Sequence, residues 1–218
     1  MTGERLPVSA QLVDTGLVAI LRDRTAGGFV AAADTLAGAG VTCLEFTLTT
    51  AGCLDALTAT RGRLPATVAL GAGTVTTPDQ VRQAADAGAE FVVAPNVDPE
   101  VIAAARRCGI PCYPGGWTTS EVLTAWRAGA SAVKLFPAAT GGPAYLRHLR
   151  GPLPEVPLLP TGGIGIDDIG GYVRAGAFAV GLGGPLFGDA PIGDDLPALA
   201  TRARRALQAV ADARSERR

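Results

Sequence analysis

The stretch AWRAGASAVKLFPA (residues 125–138) reads as the end of an alanine-rich helix, then a glycine, then a short apolar run. The pattern recurs in LAGAGVTCLEFTL (36–48), AADAGAEFVVAPN (84–96) and YVRAGAFAVGLGG (172–184), and more loosely in ARRCGIPCYPGG (105–116). The glycines of these copies, Gly40, Gly88, Gly109, Gly129 and Gly176, fall where a helix would stop and a positive φ makes glycine the least costly residue. The apolar runs after them are short and ungapped, as strands buried on both faces should be. Together with similar runs elsewhere they give eight candidate strands, starting near residues 17, 41, 67, 90, 110, 132, 157 and 178. One strand and one helix fit each interval, and TTPDQVRQAADAG (76–88) shows a plausible helix start between two of them. Eight such units predict an α/β protein with a single (β/α)8 TIM-barrel domain over residues 1–218, with an N-terminal lead-in helix and a C-terminal closing helix. An open doubly wound sheet is the alternative; it fits less well, because evenly spaced units leave no second domain or edge strand to account for.

The chain has 218 residues, 48% hydrophobic and 18% charged, with a net charge near zero. That length buries a substantial core, and the charge balance offers no surface for nucleic acid or anionic lipid. No run has the length and purity of a membrane span, and MTGERLPVSAQ lacks a signal-peptide core, so the expected location is the cytoplasm. Cys43, Cys53, Cys108 and Cys112 show neither disulfide-dense nor metal-type spacing and read as small buried hydrophobes in a reducing compartment. His148 is the one histidine. Alone, it argues against a histidine-rich metal site; in PAYLRHLRG it reads as a partly exposed helical residue. No metal and no cofactor is expected.

Eighteen arginines accompany a single lysine, Lys134, set in the apolar run AVKLFPA (132–138). Five residues past the repeat glycines stand Glu45, Val93, Lys134 and Gly181. All four fall on even-numbered runs, which in a barrel supply side chains to a common interior layer, so Glu45 and Lys134 should share one layer. As a mere buried ion pair they would rarely repay their desolvation. As a reactive pair they make chemical sense: burial favours the neutral amine, which attacks a carbonyl to form a Schiff base, and the carboxylate moves protons. Glycine-rich segments surround them. GAGTV (71–75) offers the Thr74 hydroxyl, while PTGGIG (160–165) and GLGG (181–184) place Gly162, Gly163, Gly183 and Gly184 after the last two runs, where barrel enzymes often hold phosphate.

With those residues in place, the chain resembles the 2-keto-3-deoxy-6-phosphogluconate (KDPG) and 4-hydroxy-2-oxoglutarate (KHG) aldolases, a class I, Schiff-base barrel family. The resemblance runs from VAILR (18–22) to GPLFGD (184–189) through LEFTLTT, GAGTV, AEFVVAPN, YPGGWTTSE, AVKLFPA, GGPAYLR and PTGGI. It implies Lys134 as the Schiff-base lysine, Glu45 as general acid/base acting through a water, and Thr74 as a contact to the pyruvyl moiety. Pro95 of AEFVVAPN and Phe136 of AVKLFPA are further substrate contacts on the same ground. The substrate it implies is a small 4-hydroxy-2-oxo acid (KDPG, its galactonate epimer or 4-hydroxy-2-oxoglutarate), cleaved to pyruvate and an aldehyde, and the assembly it implies is a homotrimer.

Two positions depart from the family pattern. Many members carry an arginine for the pyruvyl carboxylate where this chain has Thr49; Arg22 of AILRDR is the substitute. Phosphate-binding members show Gly-Ser where this chain has Gly183-Gly184-Pro185, which removes a hydroxyl and a backbone donor and gives weight to an unphosphorylated substrate. Two other functions fit some of these residues: a phosphate-binding isomerase or epimerase with Lys134 and Glu45 as acid and base and no covalent intermediate, and a barrel without catalysis. Trp117 either shapes the aldehyde side of the pocket or packs over the strand ends.

Overall fold

The computed structural model describes residues 5–189 and 191–216. The outer limits of the expected domain, Met1 and Arg218, and the last two residues of the charged tail lie outside that range. Helix α1 (Ala10–Thr15) leads into β1 (Leu17–Leu21), followed by α2 (Phe29–Gly38), β2 (Cys43–Thr47), α3 (Cys53–Arg61), β3 (Ala69–Gly73), α4 (Pro78–Asp86), β4 (Phe91–Val93) and α5 (Pro99–Arg107). The second half runs β5 (Cys112–Tyr113), β6 (Gly115–Gly116), α6 (Thr119–Arg127), β7 (Val133–Leu135), α7 (Gly142–Arg150), β8 (Leu158–Pro160), α8 (Ile169–Arg174), β9 (Val180–Leu182), the short α9 (Gly184–Phe187) and α10 (Leu196–Ser215).

The boundaries follow local chemistry. All five repeat glycines adopt positive φ, from 73° at Gly109 to 105° at Gly176. Thr77 opens α4 by accepting from the Gln80 N–H while Gln80 caps it in return, and Thr118 with Glu121 does the same for α6. Asp98 caps α5 through the Glu100 and Val101 N–H groups.

Every strand pair is parallel. The strands form a six-stranded sheet, β5-β4-β3-β2-β1-β9, and a three-stranded sheet, β6-β7-β8, rather than the one eight-stranded barrel expected. The extra strand has a plain cause: Pro114, without an N–H, splits the fifth run into β5 and β6. Hydrogen bonds cross between the sheets at both seams. Ser131 N–H donates to the Cys112 carbonyl (3.0 Å) and Lys134 N–H to that of Pro114 (2.9 Å); on the other side Phe178 N–H donates to the Leu158 carbonyl (2.9 Å). Thr161 and Gly181 add an isolated parallel bridge beside that second seam.

Strand side chains alternate between two cores, as a period of two requires. Leu17, Ala19 and Leu21 of β1, Leu44 and Phe46 of β2, and Val133 and Leu135 of β7 join the large cluster under the helices. Val18, Ile20, Cys43, Phe91, Val93, Ala132 and Ala179 point the other way, into a smaller cluster that also takes in Tyr113 and Leu159. Glu45 and Lys134 each lie two residues beyond a member of that cluster, Cys43 and Ala132, and so point toward the same inner face.

Candidate active site

Lys134 sits in the middle of β7, paired with Gly115 of β6 and Leu159 of β8. Glu45 sits in the middle of β2, paired with Ile20 and Gly71. Both are buried, at 4% and 1% exposure. Among the described residues no ion pair joins them, yet they sense each other. Burial pushes the Glu45 carboxyl above the usual range, and the Lys134 charge, then that of Arg22, pulls it part of the way back. Glu45 Oε1 has no hydrogen-bond partner. It lies against Gly73, where a Cβ would overlap it. A buried carboxyl left unpartnered is a poor stabiliser and a good proton carrier.

A cavity of about 510 Å³ opens above Lys134. Arg22, Phe136, Gly162, Gly163, Gly183 and Gly184 line it with Lys134, so seven of the ten residues expected from sequence meet on one surface. The Lys134 amine stands 5.1 Å from the centre of the Phe136 ring. Gly162 makes room for that ring: a Cβ there would come within 2.8 Å of it.

The other three expected residues stand back from the wall. Glu45 is one. Thr74 is half-buried just past β3, and an Arg22 N–H donates to its hydroxyl (3.4 Å). Thr74 has φ 59°, the one positive value at a non-glycine among the described residues, an uncommon place for a β-branched side chain and one that often marks a functional turn. Pro95 follows β4, its carbonyl packed on Gly115, the register partner of Lys134.

Thr49 does not line the cavity; its hydroxyl donates to Thr47 (3.4 Å). Trp117 stacks on Tyr145 at 4.4 Å between ring centres, and the Tyr145 hydroxyl donates to the Trp117 carbonyl. His148 is exposed. All four cysteines are free, and Cys108, at the exposed end of α5, departs from the buried reading; the other three are buried. Among the described residues no group of three or more His, Cys, Asp or Glu side chains is placed to hold a metal ion. None of their helices is long and apolar enough to cross a membrane.

Sequence reasoning did not single out several other lining residues, among them Ile20, Asp23, Thr161, Phe187 and Ile192. Ile20 and Thr161 were within reach of the period-two rule, since each shares the inner face of its strand. Asp23 was not, because its partner is the backbone N–H of Ile192, 169 residues away in sequence.

These features place the chain among parallel α/β proteins whose ligand site opens at the carboxyl ends of the strands. Residues 8–195 match the family model described as KDPG and KHG aldolase, and the chain belongs to that family. It is 40% identical over 142 residues to the 2-dehydro-3-deoxy-phosphogluconate aldolase of Pseudomonas aeruginosa; the match takes in 65% of this chain and 64% of that relative's length. A solved native KDPGal structure superimposes with a TM-score of 0.86 and 30% identity over 91% of this chain and 96% of the other. The KDPG aldolase of Legionella pneumophila, solved with pyruvate captured as a covalent carbinolamine intermediate, superimposes with a TM-score of 0.77 and 27% identity over 90% of this chain and 96% of that one.

Proposed function

We propose that the protein is a class I aldolase that cleaves a 4-hydroxy-2-oxo acid, KDPG or its galactonate epimer or 4-hydroxy-2-oxoglutarate, to pyruvate and an aldehyde. The observation that carries this reading is Lys134: the one lysine of the chain, buried at the floor of an open cavity and without an ion-pair partner among the described residues. Burying a lone amine costs stability and is best explained by chemistry at that amine.

The steps follow from the placement. The unprotonated Lys134 amine adds to C2 of the substrate, and loss of water leaves an iminium that draws electrons toward C2. Glu45, through a water, takes the proton of the C4 hydroxyl. The C3–C4 bond then breaks, C4 leaves as the aldehyde, and the bonding electrons rest in the enamine. Proton return to C3 and addition of water free pyruvate and restore the lysine. Arg22 holds the pyruvyl carboxylate in place of the arginine that Thr49 replaces. Thr74 steers Arg22 through their hydrogen bond and contacts the pyruvyl moiety, with Pro95 and Phe136 enclosing that end. Gly162, Gly163, Gly183 and Gly184 let the rest of the substrate approach the backbone, while Pro185 brings no N–H to that wall.

The two sheets are inferred to close as one (β/α)8 barrel forming a single domain, supported by the backbone hydrogen bonds across both seams. The family likeness supports a homotrimer, and the near-zero net charge supports an enzyme that acts on small molecules and binds neither nucleic acid nor membrane; a cytoplasmic location belongs to the same proposal and is in line with four free cysteines. The test is pyruvate release from the three candidate substrates, assayed with and without EDTA. At least one should turn over, at about 1–10³ s⁻¹, indifferent to the chelator. Absence of pyruvate from all three would overturn the proposal.

A further inference from the structure

The far wall of the cavity is built by Phe187, at the end of α9, and by Gly188, Asp189, Pro191 and Ile192, which lie between α9 and α10. Two anchors hold this strap. At one end Arg202 of α10 donates to the carbonyls of Leu186 and Phe187. At the other, the Ile192 N–H donates to Asp23 Oδ2 (2.8 Å), and the Arg24 N–H donates to Asp23 Oδ1 (2.6 Å). These backbone donors hold the Asp23 carboxyl below its usual range.

The second anchor is braced from both sides. Gly28 packs so closely that a Cβ would overlap the Ile192 carbonyl, and Gly193, at φ 109°, lies against Gly28 in turn. The Asp23 N–H donates to the Thr50 hydroxyl (3.3 Å), which meets that of Thr47 at 3.2 Å; both threonines are buried at the end of β2. A chain of polar contacts therefore ties the strap to the strand that carries Glu45.

Depth orders the substrate. Lys134 is nearly sealed at the floor, whereas Gly188 and Asp189 are exposed at the rim. A substrate bound through C2 at Lys134 keeps its pyruvyl end low and sends only its longer, aldehyde-derived arm up toward the strap. We infer that Asp23 is a positioning residue for that arm: by clamping Ile192 it sets the strap against the aldehyde end of the substrate and leaves the pyruvyl end alone. The inference rests on the aldolase reading and deepens it, since it assigns recognition of the variable half of the substrate to the contact between Asp23, two residues past the end of β1, and Ile192.

The test compares wild type, Asp23→Ala and Asp23→Asn by two readouts. The first is kcat and KM for cleavage of whichever candidate substrate the wild type turns over. The second is the pyruvate concentration that gives half-maximal adduct after borohydride trapping. Asp23→Ala should raise KM about ten-fold, the size of one lost charge-assisted hydrogen bond, with kcat and half-trapping concentration within about two-fold of wild type. Asp23→Asn, which keeps one acceptor, should raise KM by roughly three-fold and serves as the deciding variant if the alanine form does not fold. Unchanged KM in the variants would overturn the inference, as would a half-trapping concentration that rises in step with KM. Failure of the aldolase reading looks different: the wild type itself would give neither adduct nor turnover.

Discussion

Glu45 carries a conflict that the fold does not relieve. Its carboxyl is buried, one oxygen lacks a partner, and its pKa is raised chiefly by burial. A carboxyl whose pKa is higher folded than unfolded favours the native state while protonated, and that contribution is lost as pH rises through the folded value. Glu45→Gln should therefore melt at a higher temperature than wild type at pH 8, with the gap closing below the ordinary glutamate pKa of about 4.3. The same variant should lose about 10²–10⁴-fold in kcat, the span expected for a general acid/base. Calorimetry across pH, paired with a pyruvate-release assay, checks both. A variant less stable than wild type at pH 8 would contradict the burial account.

Lys134 and Glu45 were legible from sequence because the helix-glycine-strand repeat supplies a ruler. Counting five residues from each glycine lands on them, and strand alternation then puts both on one face. Asp23 has no such ruler, since its partner belongs to a segment without repeat character.

Strand β3 has to be thin where it passes Glu45. Gly71 accommodates the Phe91 ring and Gly73 the Glu45 carboxylate, so the two glycines of β3 serve opposite ends of the inner face. Gly73→Ala should displace the Glu45 carboxylate, because the added Cβ would overlap that side chain from Oε1 back to Cγ. A shift of about 1 Å in a catalytic group can cost on the order of 10² in rate. Steady-state kinetics should show kcat reduced about ten- to a hundred-fold on that scale, with circular dichroism like that of wild type showing that the variant is folded. Full activity would mean that the carboxylate position is unimportant. The start of α4 was readable from its capping residue, Thr77. Strand number was not: Pro114 interrupts a ladder whose neighbours still hydrogen-bond, which no apolar run reveals.

The molecule as a whole brings the ends of widely separated strands to one opening. Arg22 follows β1, Thr74 follows β3, Phe136 follows β7 and Gly162 follows β8, and three of these four line the cavity while Thr74 reaches it through Arg22. This convergence is why regular spacing in sequence translated into a site, and why the strap, which belongs to no repeat, stayed hidden. Assembly is testable directly: sedimentation equilibrium should give three times the chain mass, and a concentration-independent monomer would remove the trimer from the account.

The proposed chemistry turns on one covalent bond. Incubation with pyruvate and sodium borohydride, followed by intact mass and peptide mapping, should give a reduced pyruvyl adduct on Lys134 of the wild type and none on Lys134→Ala. No adduct on the wild type, under conditions where another class I aldolase is modified, would contradict Schiff-base catalysis and leave the buried lysine to be explained as a non-covalent acid or base.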